Sequence, residues 1–116
     1  MKTDRPVFVS ISLVSNRPKE FTGLLDNIEQ TAYDASRIEV LVRIDDKDDR
    51  MQQLVREEQK RRGLRLKFLS MPYTGFQDLY KSFDEMHYKL CDPGAYFVQH
   101  INDELRYKTK HWDKIL

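Results

Sequence analysis

The sequence predicts an α/β fold, a three-layer sandwich with a mainly parallel sheet in the order β-α-β-α-β-α-β. Three observations lead there. Four short runs suit strands, at 7–14, 38–44, 65–70 and 95–101, and the first is apolar on both faces. The stretches between them place apolar residues at helical spacing. Strands that alternate with helices argue a parallel sheet with helices on its faces.

The elements follow in order. Val7 to Val14, VFVSISLV, is a strand covered on both sides. Asn16-Arg17-Pro18 breaks it and opens a helix, because proline is tolerated in a first turn, and Phe21, Leu24, Leu25, Ile28 and Ala32 form its stripe. Ile38 to Ile44 is the second strand and runs straight into Asp45-Asp46-Lys47-Asp48-Asp49. The second helix extends to about Arg62 on Met51, Leu54 and Val55, with Gly63 as its stop. In Arg65 to Ser70, Leu66 and Phe68 alternate with charges, as in an edge strand. Pro72, Thr74 and Gly75 form a loop. Phe76, Leu79, Tyr80, Phe83, Met86, His87 and Leu90 trace the strongest helical stripe, which assigns His87 to the core. Asp92-Pro93-Gly94 ends that helix before the fourth strand, Ala95 to Ile101.

The chain of 116 residues reads as a single domain, with 34% charged and 40% apolar residues, a globular balance. Its 20 basic and 19 acidic residues leave a net charge of +1, so no global field argues for nucleic acid. Lys60-Arg61-Arg62 with Arg65 reads as a solvated helix end. Cys91 is alone, which excludes a disulfide framework and a cysteine-based zinc site and suits a reducing compartment. The first residues, with an acidic side chain and a proline, read as a strand and not a signal peptide. No run approaches the roughly 18 apolar residues of a membrane span, so the expected location is cytoplasmic.

In parallel sheets ligands bind beyond the carboxyl ends of the strands, so the strand-to-loop junctions are the candidate sites. After the first strand stands Ser15-Asn16-Arg17, with no glycine before Gly23. That excludes a glycine-rich dinucleotide turn and a P-loop. A phosphoreceiver domain needs an acidic pair at the same place. After the second strand, Asp48 or Asp49 caps the next helix. Asp45 and Asp46, at the strand tip, are placed either in a turn or where they accept from a base N–H or a ribose hydroxyl.

After the fourth strand stands Asn102-Asp103-Glu104. Asn and Asp are common in turns, so one reading is a turn. Two adjacent carboxylates also repel unless a cation or water separates them. Hard divalent ions take oxygen ligands, often one or two carboxylates plus substrate phosphates. Asp103 and Glu104 are therefore candidate ligands of Mn²⁺ or Mg²⁺ that would neutralise a departing nucleoside diphosphate. His100 is either a third ligand or a satisfied strand residue, Trp112 either walls a sugar pocket or packs in the core, and His111 reads as a surface residue.

Four segments, SLVSNRPKE, VLVRIDDKDD, MPYTGFQDLYKSF and VQHINDELRYKTKHWD, occur in an order and spacing that resemble the nucleotide-binding half of family-2 glycosyltransferases, inverting enzymes of the GT-A fold, Rossmann-like in this half. The resemblance covers essentially the whole chain. It implies a nucleoside-diphosphate sugar as donor, most readily a UDP-sugar, and transfer to an unknown acceptor. Val14, Ser15 and Asn16 match the nucleotide-contacting turn, and Asp45 or Asp46 matches the acidic position that contacts uracil or ribose. Asn102 and Asp103 match the pair that contacts ribose and metal, and Glu104 holds the last place of the DxD-type triplet.

Three positions depart from the pattern: Ser15 replaces a common aromatic, Tyr80-Lys81 stands where many members have Arg-Asn, and Asn102 and Glu104 replace aspartates. The family's general base and acceptor site lie in a second half of the domain. The expectation is either an excised fragment or a short protein, with a homodimer or a partner chain as candidates to supply the missing half, and no catalytic residue is assigned. The alternative is a non-catalytic nucleotide- or sugar-binding module of the same fold.

Overall fold

The computed structural model describes residues 6–72 and 79–115, with the backbone alone at 79 and 80. Its elements are β1 (Val9–Val14), α1 (Pro18–Thr31), a 3₁₀ turn (Ala35–Arg37), β2 (Ile38–Asp45), α2 (Asp49–Arg61), β3 (Arg65–Met71), α3 (Leu79–Lys89), β4 (Phe97–His100) and α4 (Trp112–Ile115). The expected strands and helices are all present. β1 and β4 are shorter than expected, and α4 begins at Trp112, where the resemblance implies a helix start. The expected loop at Thr74 and Gly75 and the start of the third helix at Phe76 lie outside the described residues.

The four strands are parallel and lie in the order β3-β2-β1-β4, an arrangement compatible with a Rossmann-like fold. β3 is an edge strand, as its alternating charges predicted, and β4 is the other edge.

Strand alternation divides the sheet into two unlike faces. On one face Val9, Ile11 and Leu13 of β1 and Ile38, Val40, Val42 and Ile44 of β2 join Phe21, Leu24, Leu25 and Ile28 of α1 and Met51 and Val55 of α2 in one core. The other face carries Ser10, Ser12, Glu39 and Arg43, all buried, and Phe83 of α3 stacks on His100 of β4 above it.

Local chemistry explains the helix starts. Pro18 opens α1, where its missing N–H has no partner to lose. Asp48 caps α2 by accepting from Met51 N at 3.1 Å.

Two expectations about side chains are corrected. His87 is exposed, because buried Ser82 and Met86 define the inward face of α3 and His87 lies one residue round from it. Arg62 is no solvated helix end. It is 6% exposed and pairs with Asp26 at 2.6 Å, Glu29 at 2.7 Å and Glu58 at 2.9 Å, which ties α1 to the end of α2.

Candidate functional site at the carboxyl ends of β1 and β4

The chain builds outward from β1 to β2 and β3, then returns to place β4 on the other side of β1. The switch of direction falls at the carboxyl ends of β1 and β4, the place where ligands of open parallel sheets bind. Two of the candidate segments, Ser15-Asn16-Arg17 and Asn102-Asp103-Glu104, lie at its two sides.

Side chains join them directly. Ser15 Oγ donates to Asp103 Oδ2 at 2.8 Å. Arg17 Nε donates to the same oxygen at 3.2 Å, and Arg17 Nη2 donates to Asp103 Oδ1. The same Nη2 reaches Glu104 Oε1 at 2.9 Å. The two-pronged approach to Asp103 is the geometry in which guanidinium and carboxylate pair best. The hydrogen bond to Asp103, then that to Glu104, raises the pKa of Arg17 above its already high ordinary value, so the side chain stays charged. Asp103 is 4% exposed while Glu104 stands in solvent. Asn102 Oδ1 accepts from Glu104 N at 3.0 Å, so the triplet does form a turn.

Scaffolding from α1 holds this loop. Arg106 Nη1 donates to the Asp103 carbonyl at 2.7 Å, and Arg106 Nη2 reaches Glu20 Oε2 at 3.2 Å. The guanidinium passes so close to Gly23 that a Cβ there would lie 2.8 Å from Nη2. Asn27 clamps Tyr107 through both backbone groups: its Oδ1 accepts from Tyr107 N at 2.6 Å, and its Nδ2 donates to Tyr107 O at 3.0 Å. Trp112 is core. It stacks on Tyr107 at 3.9 Å between ring centroids and donates from Nε1 to Thr31 Oγ1 at 3.0 Å.

Asp45 and Asp46 lie at the tip of β2, beyond β1 from the β4 loop. Two strand spacings separate those tips by about 10 Å. Asp45 Oδ1 accepts from Lys47 N at 3.0 Å, and Asp46 is exposed. No ion pair or hydrogen bond connects them to Asp103 or Glu104, so two acidic tips flank the β1 loop. Val14 is half-buried and Asn16 exposed beside it. His100 stacks on Phe83 at 4.5 Å, and His111 is on the surface.

Sequence reasoning passed over Arg17, Arg106 and Asn27, which set the geometry of this site. The tripeptide Asn-Arg-Pro marked Arg17 as part of a turn, but nothing local showed that its side chain would cross to β4.

Asp103 and Glu104 present hard oxygens, the donor type that Mn²⁺ or Mg²⁺ prefers. Yet both oxygens of Asp103 and one of Glu104 accept from Arg17, and among the described residues no group of three or more His, Cys, Asp or Glu side chains could hold a metal. In this arrangement the cation between the carboxylates is a guanidinium, which a divalent ion would have to displace.

No protein-family model matches the chain, and no curated protein matches it. Among the described residues no helix is long and apolar enough to cross a membrane.

Proposed function

We propose that this chain is the donor-binding half of a GT-A-type glycosyltransferase, a three-layer α/β sandwich that takes a nucleoside-diphosphate sugar, most readily a UDP-sugar, at the β1–β4 switch point. One observation carries the reading. A buried carboxylate, Asp103, is fixed at the topological switch point by Ser15 and Arg17 from the loop after β1. The nucleoside would lie across the β1 loop, at Val14, Ser15 and Asn16, with Asp45 or Asp46 accepting from base or ribose. Asn102 would contact the ribose, and Arg17 would face the diphosphate. Mn²⁺ or Mg²⁺ at Asp103 and Glu104 belongs to the proposal through the chemistry of those oxygens. It requires Arg17 to give up the carboxylates, so no step is routed through a metal. No residue is assigned as general base. The setting proposed is cytoplasmic, with a second copy or a partner chain supplying the acceptor side.

The Arg17 bridge also favours a second reading, a non-catalytic module that binds nucleotide without metal. Isothermal titration of UDP, with and without Mn²⁺, on wild type and Asp103→Ala separates the two. The enzyme reading expects metal-dependent binding that disappears in the variant. Binding indifferent to metal selects the module. If neither UDP nor GDP binds under any condition, both readings are wrong.

A further inference from the structure

Among the described residues two arginines are buried, and their surroundings differ. Arg62 is met by three carboxylates. Arg43, 7% exposed on β2, has none among the described residues. Its Nη2 donates to two neutral carbonyls, Met71 O at 3.2 Å and Pro72 O at 2.6 Å, and its Nε has no hydrogen-bond partner. Two neutral carbonyls offset only part of the cost of desolvating a buried guanidinium.

A second donor is stranded on the same face. Ser12 is 1% exposed and its Oγ is also without a partner. The register sets Ser12 opposite Leu41 and Val14 opposite Arg43, so Ser12 and Arg43 are diagonal neighbours, about 8 Å apart at their Cα atoms.

The helix above adds to the positive potential. Leu90 O lies against Lys67 and Cys91 Sγ against Ser10 Oγ, toward the amino ends of the strands, while Phe83 stacks on His100 nearer their carboxyl ends. α3 therefore runs antiparallel to the sheet, with the positive end of its dipole toward the carboxyl ends of the strands. Asp45, the next residue outward on this face, turns Oδ1 to Lys47 N and makes no ion pair with Arg43.

The geometry points to a binding site for a phosphate group, free or carried on a nucleotide, with Arg43 as its anchor, under α3 at the carboxyl end of β2. The tetrahedral oxyanion supplies both the missing charge and the acceptors that Nε lacks. The site uses none of Ser15, Arg17, Asp103 or Glu104, although it adjoins Val14 and Asp45 of the proposed donor site, and the Arg43 variants separate the two.

The test follows thermal unfolding in inorganic phosphate, UMP, uridine or chloride at matched ionic strength, for wild type, Arg43→Met and Arg43→Lys. Phosphate and UMP raise the wild-type Tm and uridine does not. A larger effect of UMP than of phosphate assigns a nucleotide, and an equal effect assigns the free ion. Arg43→Met weakens the apparent phosphate affinity about ten- to hundred-fold, as expected for loss of charged hydrogen bonds. Should Arg43→Met fail to fold, Arg43→Lys, which keeps the charge but loses the fork, shows a reduced response. A wild type indifferent to phosphate, or a response unchanged in both variants, overturns the site.

Discussion

A charge removed from water is tolerated when the group that meets it is equally well fixed. Glu58 and Arg62 are each 4% exposed in their side chains and meet at 2.9 Å, with Asp26, Glu29 and Arg61 around them. Burial pushes the Glu58 carboxyl up, but the hydrogen bonds from Arg62 and Arg61 outweigh it and hold the pKa below 4.5. A depressed carboxylate contributes stability above its unfolded pKa and loses it as pH falls through the folded value. Glu58→Gln is therefore expected to cost about 3 kcal/mol at neutral pH, because Arg62 keeps its charge and loses its most buried partner. Urea unfolding at pH 7 and in the acid range checks this: the gap between wild type and variant should close as the pH drops below about 4. Equal midpoints at pH 7 would show that Asp26 and Glu29 suffice.

The segment from β4 to α4 shows how an element without regular hydrogen bonding is held. A helix of four residues has no independent stability, so α4 is ordered by its neighbours. Trp112 bonds Thr31 and stacks on Tyr107, while Asp113 accepts from the backbone N–H groups of Tyr33 at 2.6 Å and Asp34 at 3.0 Å. Trp112→Ala should cost about 3–5 kcal/mol in chemical unfolding, in the range of buried aromatic truncations. A loss below about 1 kcal/mol would mean that the segment is dispensable to the core. At Gly23 the opposing effects are closer in size. Alanine favours the helix by about 1 kcal/mol, but its Cβ would displace the Arg106 guanidinium, the far end of a flexible side chain. Gly23→Ala is expected to change stability by less than about 1 kcal/mol in the same assay, and a larger loss would show that Arg106 cannot yield.

At the scale of the whole molecule, burial of Tyr107 moves its phenol up to about 12. The neutral form is favoured in the folded state, so its contribution is intact below the unfolded pKa near 10 and is lost as pH rises from there to about 12. Absorbance titration of the tyrosines should show a late-ionising phenol that is lost in Tyr107→Phe, together with alkaline loss of stability. Phenols that all titrate near pH 10 in the folded protein would contradict the burial of Tyr107.

Sequence by itself determined the alternation of strands and helices, because hydrophobic period, proline placement and end-capping are local properties. VFVSISLV has the composition of a doubly covered strand wherever it lies, Pro18 suits a first turn, and Asp48 reaches a backbone N–H three residues on. The same locality brought Ser15 and Asp103 into view as strand-tip residues. Only the tertiary structure decided which tips meet. Strand order sets β4 beside β1, so Arg17 closes on a carboxylate 86 positions away and occupies the place in which a metal was expected. Arg62 and Arg43 show the same division. Each is one cation in a string of residues, and no window around it tells that three carboxylates converge on the first and, among the described residues, none on the second. The physical reason is range: backbone preference acts over a few residues, whereas a charge is satisfied by whatever folding brings within about 4 Å.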